Sequence, residues 1–229
     1  MKGVRLSKGA RAGALLFGFA ALIGLLIFAV AGYLRTSPPT VSVGASSSGS
    51  VNLVMQTDGA VGVGPHPSWV GYFIQDASGA WHQTTLIQLP QNTDVHVTLY
   101  EYDSGGNLRN TAWSQIAGTT GGVAYINGAA ESVVNPNSNT GNGIAHTFNV
   151  PALGINVPMY GVSGSAKNFC NTGPCNTSQA HNTITFTFHT GGAGQFRWQC
   201  FVPCGLGYLT GNGGPMQNLG YMSGFLKVV

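Results

Sequence analysis

The sequence predicts an all-β domain preceded by one membrane-spanning helix. An uncharged, mostly apolar run of 23 residues lies between Arg11 and Arg35. Beyond it, short runs rich in β-branched and aromatic residues alternate with clusters of Gly, Pro and Asn, and no stretch has a helical period of useful length. Many short strands separated by turn residues are typical of a β-sandwich or a β-barrel.

The apolar run predicts a transmembrane helix over residues 12–34, because about 20 apolar residues suffice to cross the hydrocarbon core of a bilayer. Four basic residues precede the run within residues 1–11, and one follows it. The positive-inside rule therefore predicts a cytoplasmic segment 1–11 and places the rest of the chain on the extracytoplasmic side of the cell membrane. A cleavable signal peptide is the alternative, although its apolar core is usually only about 7–15 residues long.

The exported part begins with a Pro- and Ser-rich segment, 35–50, which we interpret as a linker. The β-domain is predicted over residues 51–229. Its strands are expected, in chain order, in the runs VNLVMQT, WVGYFIQ, HQTTLIQL, DVHVTLYEY, GVAYING, AHTFNV, NTITFTFHT, QFRWQC and GFLKVV. Several of these runs alternate polar and apolar residues, as a half-buried strand does.

The composition excludes several classes of function. Only 7% of residues are charged, against about 25% in an ordinary soluble chain, and five of the nine basic residues flank the apolar run. We therefore expect no nucleic-acid partner. The sequence also lacks Gly-x-Ser-x-Gly, His-Glu-x-x-His and phosphate-binding motifs. Glu101 and Asp103 form the one close acidic pair of the β-domain, and we interpret them as a solvated strand end.

The four cysteines form two pairs that we expect to differ in role. An exported domain is in an oxidising compartment, where thiols persist mainly as disulfides or metal ligands. Cys170 and Cys175 lie in a loop-like stretch and predict a local disulfide. Cys200 and Cys204 follow a strand and are four residues apart, so both could face one pocket, which a histidine from a neighbouring strand could close. Thiolate, thioether and imidazole donors together favour copper.

Two segments carry a family resemblance. AHTFNVPALGIN resembles the strand of cytochrome c oxidase subunit II that supplies its first copper-binding histidine, and GAGQFRWQCFVPCGLGY resembles the cysteine-containing ligand loop of that protein. With DVHVTLYEYD, the resemblance covers roughly the last 135 residues. It implies a cupredoxin-like Greek-key β-sandwich whose copper centre transfers electrons, with a membrane oxidase or a small electron carrier as partner.

Carried over by position, the resemblance makes His146, Cys200 and Cys204 copper ligands and gives Val202 the role of a backbone-carbonyl ligand. The match then breaks, because Tyr208 stands where the family has its second histidine and Gly211 stands where it has its methionine. A longer loop follows, so Met216 and Met222 become candidate thioether ligands.

Two other interpretations remain open from the sequence. In one, the domain is metal-free, Cys200 and Cys204 form a disulfide, and the protein is an extracellular structural or interaction module. In the other, the two cysteines exchange electrons as a reactive pair.

The single predicted span also differs from the two helices common in oxidase subunit II. The histidines outside the matched segments are expected to be ordinary surface or hydrogen-bonded residues: His66, His82, His96, His181 and His189.

Overall fold

The computed structural model describes residues 7–33, 37–44, 49–136, 143–204 and 214–229. The chain divides into two compact units, Met1–Ser37 and Pro38–Val229. The first contains the helix, and the second contains all the described strands.

The first unit holds one apolar helix, α1, which runs over Lys8–Phe28 and continues as a π-helical turn, Ala29–Tyr33. The helix begins four residues before the predicted start because Ser7 caps it: its Oγ accepts a hydrogen bond from the Ala10 amide at 3.2 Å. Within Lys8–Ala31, an 18-residue stretch has a mean hydropathy of 2.7. The helix is thus long and apolar enough to cross a membrane or to act as a signal sequence.

The second unit is built from two β-sheets. The first has six strands in the order β1-β5-β13-β12-β9-β10, and the second has seven in the order β4-β3-β2-β6-β11-β7-β8. Sequence-distant strands are neighbours in both sheets, as in a Greek key. This architecture confirms the predicted all-β sandwich preceded by one apolar helix. The strands are β1 Thr40–Ser42, β2 Val51–Asp58, β3 Gly71–Gln75, β4 Trp81–Gln83, β5 Leu86–Leu89, β6 Asp94–Glu101, β7 Ala124–Ile126, β8 Ala129–Glu131, β9 Ile144–Val150, β10 Ile155–Tyr160, β11 Asn182–His189, β12 Gly194–Gln199 and β13 Ser223–Val228.

Short 3₁₀ turns connect some of these strands, at Thr111–Ser114, Thr120–Gly122, Pro151–Leu153 and Gly214–Met216.

One predicted strand is in fact two. The run HQTTLIQL is divided at Thr84 and Thr85, so that β4 lies in one sheet and β5 in the other. Both threonines are fully buried, and their hydroxyls donate to the carbonyls of Pro39 and Ser223. These hydrogen bonds fix the corner at which the chain passes between the sheets.

Three strands lie in segments where the sequence predicts none: β1, β8 and β10. β1 falls inside segment 35–50, interpreted above as a linker, and pairs in parallel with β5 while Val41 is buried in the core. β10 contains Pro158, a residue that argues against a central strand. β10 lies at an edge of its sheet, where the missing amide hydrogen of proline costs no ladder hydrogen bond.

The core lies between the two sheets and is rich in aromatic residues. Trp198 on β12 is fully buried and packs edge-on against Tyr72 of β3, with ring centroids 4.8 Å apart. Phe148 on β9 lies 5.1 Å from the same indole. This cluster packs β9 and β12 against β3; β9 carries His146, and Cys200 directly follows β12.

Candidate metal centre

His146, Cys200 and Cys204 converge, as the sequence predicts. One potential ligand atom from each residue lies within 4.8 Å of the other two. Nδ1 of His146 is 3.0 Å from the sulfur of Cys204 and 3.9 Å from that of Cys200. All three residues are buried.

Strand pairing brings these residues together from distant parts of the chain. His146 lies on β9, and Cys200 directly follows β12, which pairs with β9 at Gln199 and Asn149. Thr147 then holds the first cysteine in place: its amide approaches the Cys200 sulfur at 3.4 Å, and its hydroxyl accepts the amide of Phe201 at 2.8 Å. The cysteine position is therefore fixed by backbone as well as side-chain contacts.

The two cysteines are free thiols in close contact. Their sulfurs are 3.2 Å apart, well beyond the roughly 2.05 Å of a disulfide bond. Burial raises the pKa of Cys200, but hydrogen bonds from Cys204 and His146 outweigh burial, and the net pKa lies well below its usual value. Burial and the neighbouring Cys200 raise the pKa of Cys204 well above its usual value. The pair thus favours one thiolate and one thiol.

The other nitrogen of His146 faces carboxylates. Nε2 lies 3.2 Å from Oδ2 of Asp103 and 3.9 Å from Oε1 of Glu101. Burial lowers the pKa of His146, whereas the charge of Glu101 and the hydrogen bond to Asp103 raise it, and the net pKa is well above the usual value. The carboxylate acceptor at Nε2 holds a proton there, so Nδ1 is the nitrogen that would bind a metal ion, in exchange for the proton that the raised pKa favours on it.

Glu101 and Asp103 do not form the solvated strand end that we expected, so that interpretation was wrong. Glu101 is fully buried and accepts hydrogen bonds from the Thr57 hydroxyl at 2.6 Å and the Asp103 amide at 2.8 Å. Burial raises the pKa of Glu101 to about 8. For Asp103, burial raises the pKa, but the hydrogen bond and charge of His146 lower it by more than burial raises it. The net shift of the Asp103 pKa is therefore downward.

A second fully buried carboxyl, Asp58, lies near Asp103. It is 1% exposed, and neither carboxylate oxygen has a hydrogen-bond partner among the described residues. Burial and the neighbouring Asp103 raise its pKa to about 8. Asp58 is the last residue of β2, directly after Thr57, which pairs with Glu101 of β6, a pairing that sequence alone does not reveal.

The two methionine candidates differ in their contacts. The sulfur of Met216 lies 3.4 Å from the amide nitrogen of Cys204, so the thioether is adjacent to the cysteine pair. Met222 is fully buried, and its main chain binds the site: its carbonyl accepts the Cys200 amide at 2.9 Å, and its amide donates to Pro215. The Met216 sulfur therefore lies beside the cysteine pair, whereas Met222 contacts Cys200 through its backbone carbonyl.

The donor set fits copper. Two sulfurs and an imidazole nitrogen converge, the Val202 carbonyl oxygen lies 2.9 Å from the Cys204 sulfur and 3.3 Å from the Cys200 sulfur, and the Met216 thioether is close by. Soft thiolate and thioether donors with imidazole suit copper better than Mg²⁺ or Ca²⁺, which prefer oxygen. Nδ1 of His146 and the two cysteine sulfurs would hold the ion, which when bound supplies one-electron redox chemistry.

The remaining sequence candidates are accounted for as follows. Tyr208 and Gly211 lie outside the described residues. Among the described histidines, only His146 belongs to the metal-binding group with Cys200 and Cys204. The others bind elsewhere: His82 to Asp76, His96 to Thr187, His181 to the Gln179 carbonyl, His189 to Asp94, and His66 stacks on Trp69.

The predicted disulfide between Cys170 and Cys175 is confirmed. Both residues are buried against Tyr102, and the Cys175 amide donates to Oε1 of Gln56 at 2.8 Å. The disulfide thus ties the long loop between β10 and β11 to β2.

No family model matches the chain, and no curated protein matches it. Among solved structures, reduced rusticyanin is similar, at 13% identity over 82% of this chain and 84% of that chain, with a TM-score of 0.31. Another rusticyanin structure, described as that of a copper protein, has 14% identity, covers 87% of this chain and 92% of that chain, and has a TM-score of 0.31. Rusticyanin from Thiobacillus ferrooxidans has 16% identity, the same coverages and a TM-score of 0.30.

All three similarities are weak, with TM-scores of 0.30–0.31. The geometry of the site, and not this similarity, determines which residues could hold a metal.

Proposed function

We propose that this protein is a membrane-anchored, exported copper protein that transfers electrons, as its resemblance to oxidase subunit II implies. One observation carries the proposal: a buried imidazole nitrogen and two free cysteine sulfurs, from residues 54 and 58 positions apart, converge within 4.8 Å. The proposed ligands are Nδ1 of His146 and the sulfurs of Cys200 and Cys204.

The surroundings of the three ligands support electron transfer. All three are nearly or fully buried, so water has little access to an ion held there. The amide of Thr147 approaches one sulfur, and Asp103 orients the imidazole from its far side. Such contacts fix the ligands before the metal binds and tune its reduction potential. A rigid centre needs little rearrangement when its oxidation state changes.

A thioether ligand and the cellular setting complete the proposal. Met216 is the thioether that the geometry favours, and Met222 stays a candidate. In the setting that we propose, α1 crosses the cell membrane once and the β-domain lies on the extracytoplasmic side. A membrane oxidase or a small electron carrier would then exchange electrons with the copper.

Metal analysis and a visible absorption spectrum of the copper-loaded protein test this proposal. We expect bound copper and strong thiolate-to-copper absorption bands, which Cys200→Ser abolishes because it removes one of the two sulfurs that would hold the ion. The double variant Cys170→Ser, Cys175→Ser is the matched control and keeps the bands, since its cysteines lie in the other pair. A colourless wild-type protein without free thiols would instead support the metal-free structural module.

A further inference from the structure

A cavity of about 640 Å³ lies next to the candidate metal centre. His146 and Cys204 line it, together with Asp103, Arg109, Trp113 and Phe201. Its volume is within the range of about 300–1,000 Å³ that is usual for small-molecule sites. A molecule in this cavity would therefore touch two of the proposed copper ligands.

One wall of the cavity is aromatic and preformed. Trp113 and Phe201 are stacked, with ring centroids 4.5 Å apart and an interplanar angle of 21°. Nδ2 of Asn156 donates to the carbonyls of Trp113 and Gln115, and these hydrogen bonds stabilise the turn that carries Trp113. Both rings are partly exposed, so they present an aromatic surface that needs no rearrangement to bind a planar ring.

The cavity also contains an available cation. Arg109 lines it, is exposed, and has no carboxylate within salt-bridge distance among the described residues. The acidic residue that lines the same cavity, Asp103, is already engaged: its Oδ2 faces Nε2 of His146, and its Oδ1 accepts the Ser104 amide. A guanidinium without a partner beside an aromatic wall favours a ligand that is both planar and anionic.

We propose that this cavity binds a small aromatic carboxylate. The carboxylate pairs with Arg109, and the ring packs against Trp113 and Phe201 in the cavity that His146 and Cys204 also line. The binding site itself is independent of copper. Its role as a ligand site next to a redox centre rests on the proposed function.

Benzoate binding to the purified, metal-free protein, followed by tryptophan fluorescence and calorimetry, tests the site. For a ligand of this size we expect a dissociation constant on the order of 1 mM. Cyclohexanecarboxylate has the charge without the aromatic ring, and benzyl alcohol has the ring without the charge. We expect both to bind at least about fivefold more weakly, because each lacks one of the two recognition elements.

Two variants locate the binding. Arg109→Gln should weaken benzoate binding at least about fivefold, by removing the charge-assisted contact. Arg197→Gln is the matched control, since Arg197 is an exposed basic residue on β12 that does not line the cavity, and it should bind as the wild type does. The proposal is overturned if benzoate does not bind, or if Arg109→Gln and Arg197→Gln bind it equally.

Copper-loaded protein separates this inference from the proposed function. If both hold, benzoate shifts the thiolate-to-copper absorption bands with the same dissociation constant. If copper does not bind but metal-free protein binds benzoate through Arg109, the proposed function fails and the ligand site stands. If the copper bands are present and benzoate leaves both them and the tryptophan fluorescence unchanged, the ligand site fails alone.

Discussion

At the scale of single residues, His146 has two distinct faces. Nδ1 points at the cysteine sulfurs, and Nε2 points at Asp103 and Glu101. The sequence indicated the first face through the matched strand, but it gave no indication of the second. The spacing of two residues in DVHVTLYEYD predicts that Glu101 and Asp103 lie near each other. It does not predict that a histidine from another strand lies beside them. That contact depends on the packing of β6 near β9.

The carboxylate behind His146 should determine how tightly copper binds. Asp103→Asn removes the negative charge at Nε2, so the imidazole is a weaker and less oriented ligand. We expect about a 10-fold loss of copper affinity, measured by competition with a chelator. Asp94→Asn is the control, because Asp94 is exposed and binds His189. Equal affinities in the two variants would contradict the role given to Asp103.

Asp58 should make stability depend on pH. Its folded-state pKa is about 8 and the ordinary pKa of an aspartate is 3.8, so between these values the folded state binds a proton that the unfolded state has released. Stability should therefore fall as pH rises from about 4 to about 8, by at most ~1.4 kcal/mol per unit from this group. Neighbouring Asp103 and His146 modify the slope.

Urea unfolding at several pH values between those limits measures this effect. Asp58→Asn should reduce the slope because an amide does not ionise, which leaves the contribution of Glu101, whose pKa is also raised to about 8. Asp94→Asn should keep the full slope. A variant slope identical to the wild type would show that Asp58 does not carry the dependence.

At the scale of elements, the site depends on the pairing of β9 with β12 and on the chain that follows each strand. Sequence patterns predicted both strands, because their alternation and aromatic content are strong. They did not predict β10, since Pro158 argues against a strand unless its edge position is known. Nor did they predict β1, whose three residues are too few to show a period.

The first strand leads to a prediction about where the folded domain begins. Removing residues 1–37 should leave its stability unchanged, because the second compact unit starts at Pro38. Removing residues 1–50 should destabilise it by about 2 kcal/mol, since β1 and the buried Val41 are lost. Thermal or urea unfolding of the two truncated proteins measures the difference. Equal stabilities would support the boundary at residue 51 that composition alone predicts.

At the scale of the whole molecule, sequence and structure agree on the broad plan. One apolar helix precedes a two-sheet β-sandwich with few charges, and the three most specific site residues meet. The fold class was predictable because strand periods and turn residues are local features. The cluster of Asp58, Glu101 and Asp103 was not predictable, because these carboxyls come together only through the pairing of β2 with β6 and the packing of the chain that follows β6.

The most direct test of the central claim is the X-ray absorption spectrum of the copper-loaded protein at the copper edge. We predict an inner shell that contains cysteine sulfur together with one histidine imidazole, and loss of sulfur scattering in Cys200→Ser. A shell of oxygen and nitrogen alone, with Cys200 and Cys204 joined as a disulfide, would contradict it.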